Sequence, residues 1–195
     1  MALNCEESLA AAIEKDCDNK PMGGIEVDVV IINFDDIDKS TSTIDASDRI
    51  TNLSTFSGTT GYALEGVKQV NGASFELVKN EEGWDKYKHT FAGVILNPSA
   101  ENKKSLSNMA SGGRYVVVVE KKWKGIDEED AFEVLGFDSG LVIATVVYNS
   151  KEADGVIKFE LSSEDGFEEP EMTRNNLETD YATTAVAFAA KYATA

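Results

Sequence analysis

The sequence predicts a mainly β chain of the α+β type, an antiparallel β-sandwich or barrel with one packed helix, and three observations carry that expectation. From Ser74 to Pro170 short β-rich segments follow one another, interrupted once by the helix-like stretch Ser99 to Met109. Within them Tyr115-Val116-Val117-Val118-Val119 is an unbroken apolar run, as a central strand buried on both faces requires. Glycine-bearing turns such as Asn80-Glu81-Glu82-Gly83 and Asp138-Ser139-Gly140 separate the segments. At 195 residues and 42% apolar content the chain is long enough to bury one sizeable core. The reading divides it into an N-terminal helical arm (1–24), a β domain (25–175) and a C-terminal arm (176–195).

Ser8 to Lys15 places Leu9, Ala12 and Ile13 on one stripe, which predicts a short amphipathic helix. Pro21 and Gly23-Gly24 break the chain before Ile25 to Ile32, whose alternation gives way to a wholly apolar run, the mark of a strand half buried and then buried. Asn33 to Ser57 is rich in Asp, Ser and Thr and reads as a long loop or extended hairpin. In an assembling protein a loop of this length reaches a neighbour. Gly61 to Val67, Phe75 to Lys79 and Lys88 to Leu96 are predicted strands, the last two forming a hairpin. Pro98 and Ser99 open a helix of about three turns through Leu106 and Met109, which Gly112-Gly113 stops. Ala131 to Phe137 and Leu141 to Asn149 flank Asp138-Ser139-Gly140 as a second expected hairpin, and Gly155 to Leu161 is a further strand. Ser162 to Asn176 is polar and acidic. The alanine-rich Tyr181 to Ala195 is a closing strand or a short helix, and the partial alternation of Thr183 to Phe188 favours an extended segment on a sheet edge.

The single histidine, His89, closes most imidazole chemistry, because a nucleophilic triad needs one and a paired-histidine zinc site needs two. Its setting, Trp84 to Phe91, alternates polar and aromatic residues and predicts a surface or partly packed position. Asp36-Ile37-Asp38-Lys39-Ser40 begins like a calcium loop, but Thr41 stands where the glycine belongs and Ser47 where the glutamate belongs. Cys5 and Cys17 have neither CxxC spacing nor a histidine partner, which fits a cytosolic folding environment and leaves a disulfide open without implying one. The first ten residues lack a basic leader, and no stretch approaches the roughly 20 apolar residues of a membrane span, so a soluble protein or part of a soluble assembly is expected. With 35 acidic against 18 basic residues the formal charge is -17, which repels nucleic acid. Lys103-Lys104 and Lys121-Lys122-Lys124 lack interleaved aromatics and read as solvated faces. The reading assigns no catalytic, cofactor-binding or metal-binding residue, and expects a protein that is not an enzyme and works through its surfaces.

The hairpin, the single central helix, the further strands, the turn Gly-Phe-Asp-Ser-Gly-Leu at Gly136 to Leu141 and the segment Leu161 to Pro170 together resemble the major tail tube proteins of tailed bacteriophages, or the related tubes of contractile injection systems. The resemblance covers residues 60 to 190. It implies a virion structural protein, assembled in the bacterial host cytoplasm, that forms stacked six-fold rings. Strands of adjacent subunits would line a continuous inner barrel through which DNA passes without specific binding. The implied partners are further copies of itself and other phage tail proteins, with no membrane and no cofactor. Six copies bring on the order of 100 negative charges to a ring, and an acidic lumen would keep a polyanion from sticking. The long loop 33–57 is similar to the loop such proteins use to contact neighbours, so this loop and the terminal segments 1–20 and 176–195 are the expected intermolecular contacts. The N-terminal helix with Cys5 and Cys17 departs from the simplest tube pattern and leaves room for a terminator or neck protein. Two other classes stay open. One is a capsid decoration or carbohydrate-binding module stacking ligand on Trp84 and Trp123; the other is a hydrolase using acid pairs such as Glu128-Glu129 or Glu168-Glu169.

Overall fold

The computed structural model describes residues 12–13, 19–67, 70–81, 83–151 and 155–194. Among them the strands are β1 (Ile25–Asn33), β2 (Thr43–Ile44), β3 (Ile50–Asn52), β4 (Tyr62–Leu64), β5 (Gly72–Val78), β6 (Lys86–Ile95), β7 (Tyr115–Lys121), β8 (Phe132–Leu135), β9 (Leu141–Tyr148), β10 (Ile157–Ser163) and β11 (Arg174–Asn176). The helices are α1 (Ala100–Met109) and α2 (Tyr181–Ala189). Apart from Ala12 and Ile13, the expected N-terminal helix lies outside the described residues, as do both cysteines.

Two apolar runs make the centre. In β1 and β7 the residues Val29 to Ile32 pair antiparallel with Val119 to Val116. Because side chains alternate across a strand, Val29, Ile31, Val117 and Val119 enter one core while Val30, Ile32, Val116 and Val118 enter another. A strand pair with apolar residues on both faces requires a cover on each side. The first face is covered by Phe91, Phe159 and Leu161 of the other half of the same sheet and by Leu106 of α1. The second is covered by Ile37, Ile50 and Leu53 of the 33–57 segment and by Phe188 and Tyr192 at the C-terminus. The mainly β, sandwich-like expectation therefore holds, with the sheet bent into two layers and left open rather than closed into a barrel.

The second layer consists of β9, β10, β6 and β5 in that order, every neighbour antiparallel. The β5–β6 hairpin and the helix beginning at Ser99 stand where the sequence put them, with the Ser99 side chain accepting the Asn102 N–H at 3.2 Å as N-cap. Gly93 sits where Phe159 crosses β6, since a Cβ there would lie 2.5 Å from the ring. Three expectations need correction. Ala131 to Phe137 and Leu141 to Asn149 do not form a hairpin: β8 pairs with β7 and β11, whereas β9 pairs with β10 and meets β7 only at Tyr115. The 136–140 segment is thus a corner where the chain changes layer. Its ends, Gly136 and Gly140, take φ of +77° and +81°, values that suit glycine. Second, Tyr181 to Ala189 is helical rather than extended, so two helices pack where one was expected. Asp180 caps it by accepting the Thr183 N–H at 2.7 Å, and Phe132 stacks on Tyr181 and tilts against Phe188, partners that a helical period of seven aligns and a strand period does not. Third, the sheet is mixed, because β11 meets β3 in parallel at Asn176 and Ile50.

The segment 33–57 is an extended hairpin built around β2 and β3. Ile37, Ile50, Leu53 and Thr55 are buried, so this part of the chain is a wall of the second core rather than a free arm. Replacing Ile32, which is fully buried between the two strands' neighbours, with Ala should lower stability by about 2–5 kcal/mol. Gly93→Ala should cost about 1–3 kcal/mol through displacement of the Phe159 ring. Urea denaturation of each variant checks both values, and wild-type midpoints would contradict the packing described.

Candidate functional site

His89 sits on the face of β6 that turns inward and is 2% exposed, not at the surface. Gly136 N–H donates to its Nδ1 at 3.2 Å, which leaves the proton on Nε2, and that nitrogen donates to the Glu171 carbonyl at 3.0 Å. Burial pushes its pKa down to about 4, so the ring is neutral across the physiological range and holds the corner as an acceptor.

Glu169 lies beside the same corner and is 1% exposed. Its carboxylate accepts the backbone N–H groups of Asp138 and Ser139 at 2.8 Å each and of Gly140 at 3.2 Å. Burial raises its pKa while those N–H groups oppose the rise. Arg174, also buried, joins the Asp48 carboxylate at 2.8 Å to that of Asp138, and Lys39 donates to the Asp138 carbonyl at 2.8 Å while lying over the Phe34 ring. One corner of five residues is therefore tied to β6, to the acidic segment after β10, to β11 and to the 33–57 hairpin. Every buried side-chain polar atom among the described residues has a partner.

These ties decide the sequence candidates. Glu168 and Glu169 do not converge: the Glu168 carboxylate accepts Gly166 N–H at 3.0 Å, and that bond first of all holds its pKa below the usual range, while Glu169 turns into the protein. Glu128 and Glu129 face Lys124 and Arg49 across the surface at 3.9 and 3.2 Å. Asp36 accepts from the Asn33 side chain and Asp38 from Ser40, so both carboxylates close their own turns. Among the described residues no three metal-ligating side chains cluster. Lys122 faces Glu26 at 3.8 Å, Lys124 faces Glu120 at 2.6 Å and Lys121 donates to Asn175, whereas Lys103 and Lys104 are exposed on α1. Trp123 donates its indole N–H to the Asn19 carbonyl, and Trp84 stands 72% exposed near the end of the β5–β6 hairpin.

The unspent surface is at the sheet edges. In the first layer the edge strands β2 and β4 are two and three residues long, the usual way an edge is blunted. In the second layer β5 and β9 are seven and eight residues long, and among the described residues neither has a strand partner on its outer side apart from the Tyr115–Leu141 contact. Phe75 and Leu77 on β5 and Val146, Val147 and Tyr148 on β9 are each between 44% and 51% exposed. The sequence of β9, Leu-Val-Ile-Ala-Thr-Val-Val-Tyr, contains no charge to repel a second strand; its one protective device is a bulge opposite the step from Glu160 to Leu161. A groove of about 890 Å³ opens beside β4, walled by α1 and floored by Phe159 and Tyr115. No helix among the described residues is long and apolar enough to cross a membrane.

No family model matches the chain, and neither a curated protein nor a solved structure is significantly similar to it. Sequence reasoning named Glu169 only as half of an exposed acid pair and did not single out Arg174, because the stretch from Ser162 to Asn176 reads as uniformly polar and acidic. The paired glycines of Gly-Phe-Asp-Ser-Gly were the available signal, because two left-handed positions so close together turn successive N–H groups toward one anion.

The histidine has a pH signature. Its folded pKa lies below the ordinary 6.5, so its contribution to stability is whole above pH 6.5 and is lost as pH falls toward about 4, a loss of about 3 kcal/mol. Glu169 acts in the opposite sense: its raised pKa gives a contribution that is whole at low pH and is lost as pH rises through the folded value. Urea midpoints of wild type and His89→Gln from pH 7 to pH 4 should converge on acidification. Parallel pH profiles would show that the ring is not buried neutral.

Proposed function

We propose that this chain is a virion structural subunit that assembles through its sheet edges into rings, and through ring stacking into a hollow phage tail tube. The observation that supports this reading is the contrast between the blunted edges of the first layer and the long, largely apolar edges of the second. A monomeric protein keeps such edges only at the risk of aggregation. A ring subunit satisfies them with the next copy.

The topology suits a closed ring. The layer holds four strands, an even number, so β5 of one copy and β9 of the next run antiparallel under a rotation about an axis along the strands. The alternation then continues from subunit to subunit, and six copies make a barrel of 24 strands by the arithmetic 6 × 4. Followed through β6 and β10, the registers set Ala73 of one edge level with Ile143 of the other and Phe75 level with Leu141, so the core side of the junction would be apolar where the two edges overlap.

The opposite face of this layer, the one that would line a lumen, carries Lys86, Lys88 and Lys158 with Glu76 and Glu160 among Ser, Thr, Ala, Gly and Val. Lys86 and Lys88 in turn face Glu168 and Asp165. The acidity of the chain is not concentrated on this face, so passage of a polyanion would depend on small, neutral side chains and balanced charge rather than on an acidic wall. In this reading the 33–57 hairpin braces the fold, and lateral assembly uses β5 and β9. A second reading, a carbohydrate-binding accessory module, is favoured by the exposure of Trp84 alone.

Negative-stain electron microscopy over a concentration series, with mass photometry beside it, should show rings or hollow tubes. Val146→Lys should hold the protein monomeric with unchanged circular dichroism. A wild-type protein that stays monomeric at all concentrations would sink the proposal and turn attention to Trp84.

A further inference from the structure

We propose that Lys121 and Asn175 become joined by a covalent side-chain amide, formed by the folded chain itself with Asp130 as the acid–base group. The bond lies within one chain and does not depend on how copies associate. Three neighbouring elements bring the groups together: Lys121 ends β7, Asp130 lies just before β8, and Asn175 is the middle residue of β11. β8 pairs with β7 on one side and with β11 on the other, so Val119, Glu133 and Asn175 stand level across three strands. Lys121, two residues beyond Val119, projects from the same face and reaches across β8. Its Nζ donates to the Asn175 Oδ1 at 2.8 Å, and the Asn175 Nδ2 donates to the Asp130 Oδ1 at 2.7 Å.

The carboxamide is thereby held between an amine and a carboxylate, and these partners fix which of its ends is which. An ammonium only donates and a carboxylate only accepts, so the carbonyl faces the lysine and the nitrogen faces the aspartate. Acyl transfer needs that orientation, with the nucleophile at the carbonyl and a proton carrier at the leaving group. Since a C=O bond is about 1.2 Å long, an amine 2.8 Å from Oδ1 lies within about 4 Å of Cγ. The neighbouring lysines are placed differently: Lys122 and Lys124 face the carboxylates of Glu26 and Glu120 at 3.8 and 2.6 Å, whereas Lys121 faces an electrophile. The Trp123 ring lies 5.8 Å from the Lys121 Nζ and Arg49 lies 3.7 Å from the Asp130 carboxylate, which restrains the two outer members of the trio. All three are partly buried.

The step balances as a transamidation. The Lys121 ammonium first loses one proton to the Asp130 carboxylate through solvent, and the freed electron pair attacks Cγ of Asn175. The tetrahedral carbon then carries both nitrogens, so one carboxylate reaches both. Asp130 gives its proton to the outgoing nitrogen, the old C–N bond breaks, and Asp130 takes the second proton from the incoming nitrogen and passes it on. The products are one secondary amide and one ammonium ion, with no oxidant or added group. Departure of ammonium makes the step one-way, and holding the reactants in contact supplies the effective concentration that a single turnover needs. The bond ties β11, three residues long, and the helix that follows it to the central strand β7, closing a loop between positions 54 apart.

Mass spectrometry of the full chain, denatured after incubation at neutral pH, tests the proposal. Wild type should weigh one ammonia less than its sequence, and digestion should release a branched peptide joining Lys121 to Asn175. Lys121→Arg and Asn175→Ala should keep the full sequence mass, and Asp130→Asn should form the bond on the order of 100-fold more slowly. Because the wild-type result decides, the proposal stays falsifiable where a variant folds poorly. A wild-type chain at full sequence mass without the branched peptide overturns it. So does an ammonia loss that persists in Lys121→Arg, which would report cyclisation at another asparagine, or a wild-type rate in Asp130→Asn.

Discussion

The pairing of β1 with β7 is the constraint on which the remaining structure depends. Val29 to Ile32 and Val116 to Val119 are buried on both faces, so each face demands an apolar cover. One cover is the second sheet layer with Leu106 of α1; the other is the 33–57 hairpin with the C-terminal helix. Layer order follows from that demand. A polar side chain introduced on either face of this pair would have no water and no partner, which makes the two runs the least replaceable part of the chain.

Holding two layers together requires the chain to cross between them, and the crossing at 136–140 exposes backbone donors where no strand neighbour can satisfy them. Glu169 supplies the missing acceptor for three of these donors and His89 for a fourth. Arg174 then balances the acidic surroundings by joining Asp48 and Asp138. A polar network this far from solvent specifies one geometry because each member is satisfied only in that geometry. The single histidine and Glu169 are thus both engaged in holding the corner.

The surface divides by function along the same lines. The first layer is edged by short strands, a hairpin and a helix, whereas the second presents two long edges, and a groove opens between the layers beside β4 and α1.

The sequence by itself determined the elements whose signal is local. The apolar runs at Ile25 to Ile32 and Tyr115 to Val119, the β5–β6 hairpin and the capped helix after Ser99 follow from periodicity, turn residues and a single N-cap, all of which act within a few residues. Tertiary structure alone decided which strands became neighbours. The stretches on either side of Asp138 look like a hairpin, but β8 gains β7 and β11 as partners and β9 gains β10, a choice settled by burial across the whole sheet. The C-terminal segment is helical because Tyr181, Phe188 and Tyr192 find Phe132 and the second core only at helical spacing. His89 and Glu169 became buried for the same reason: their partners are backbone groups some 30 to 47 positions away, and no local pattern encodes contacts that exist only once the two layers have closed.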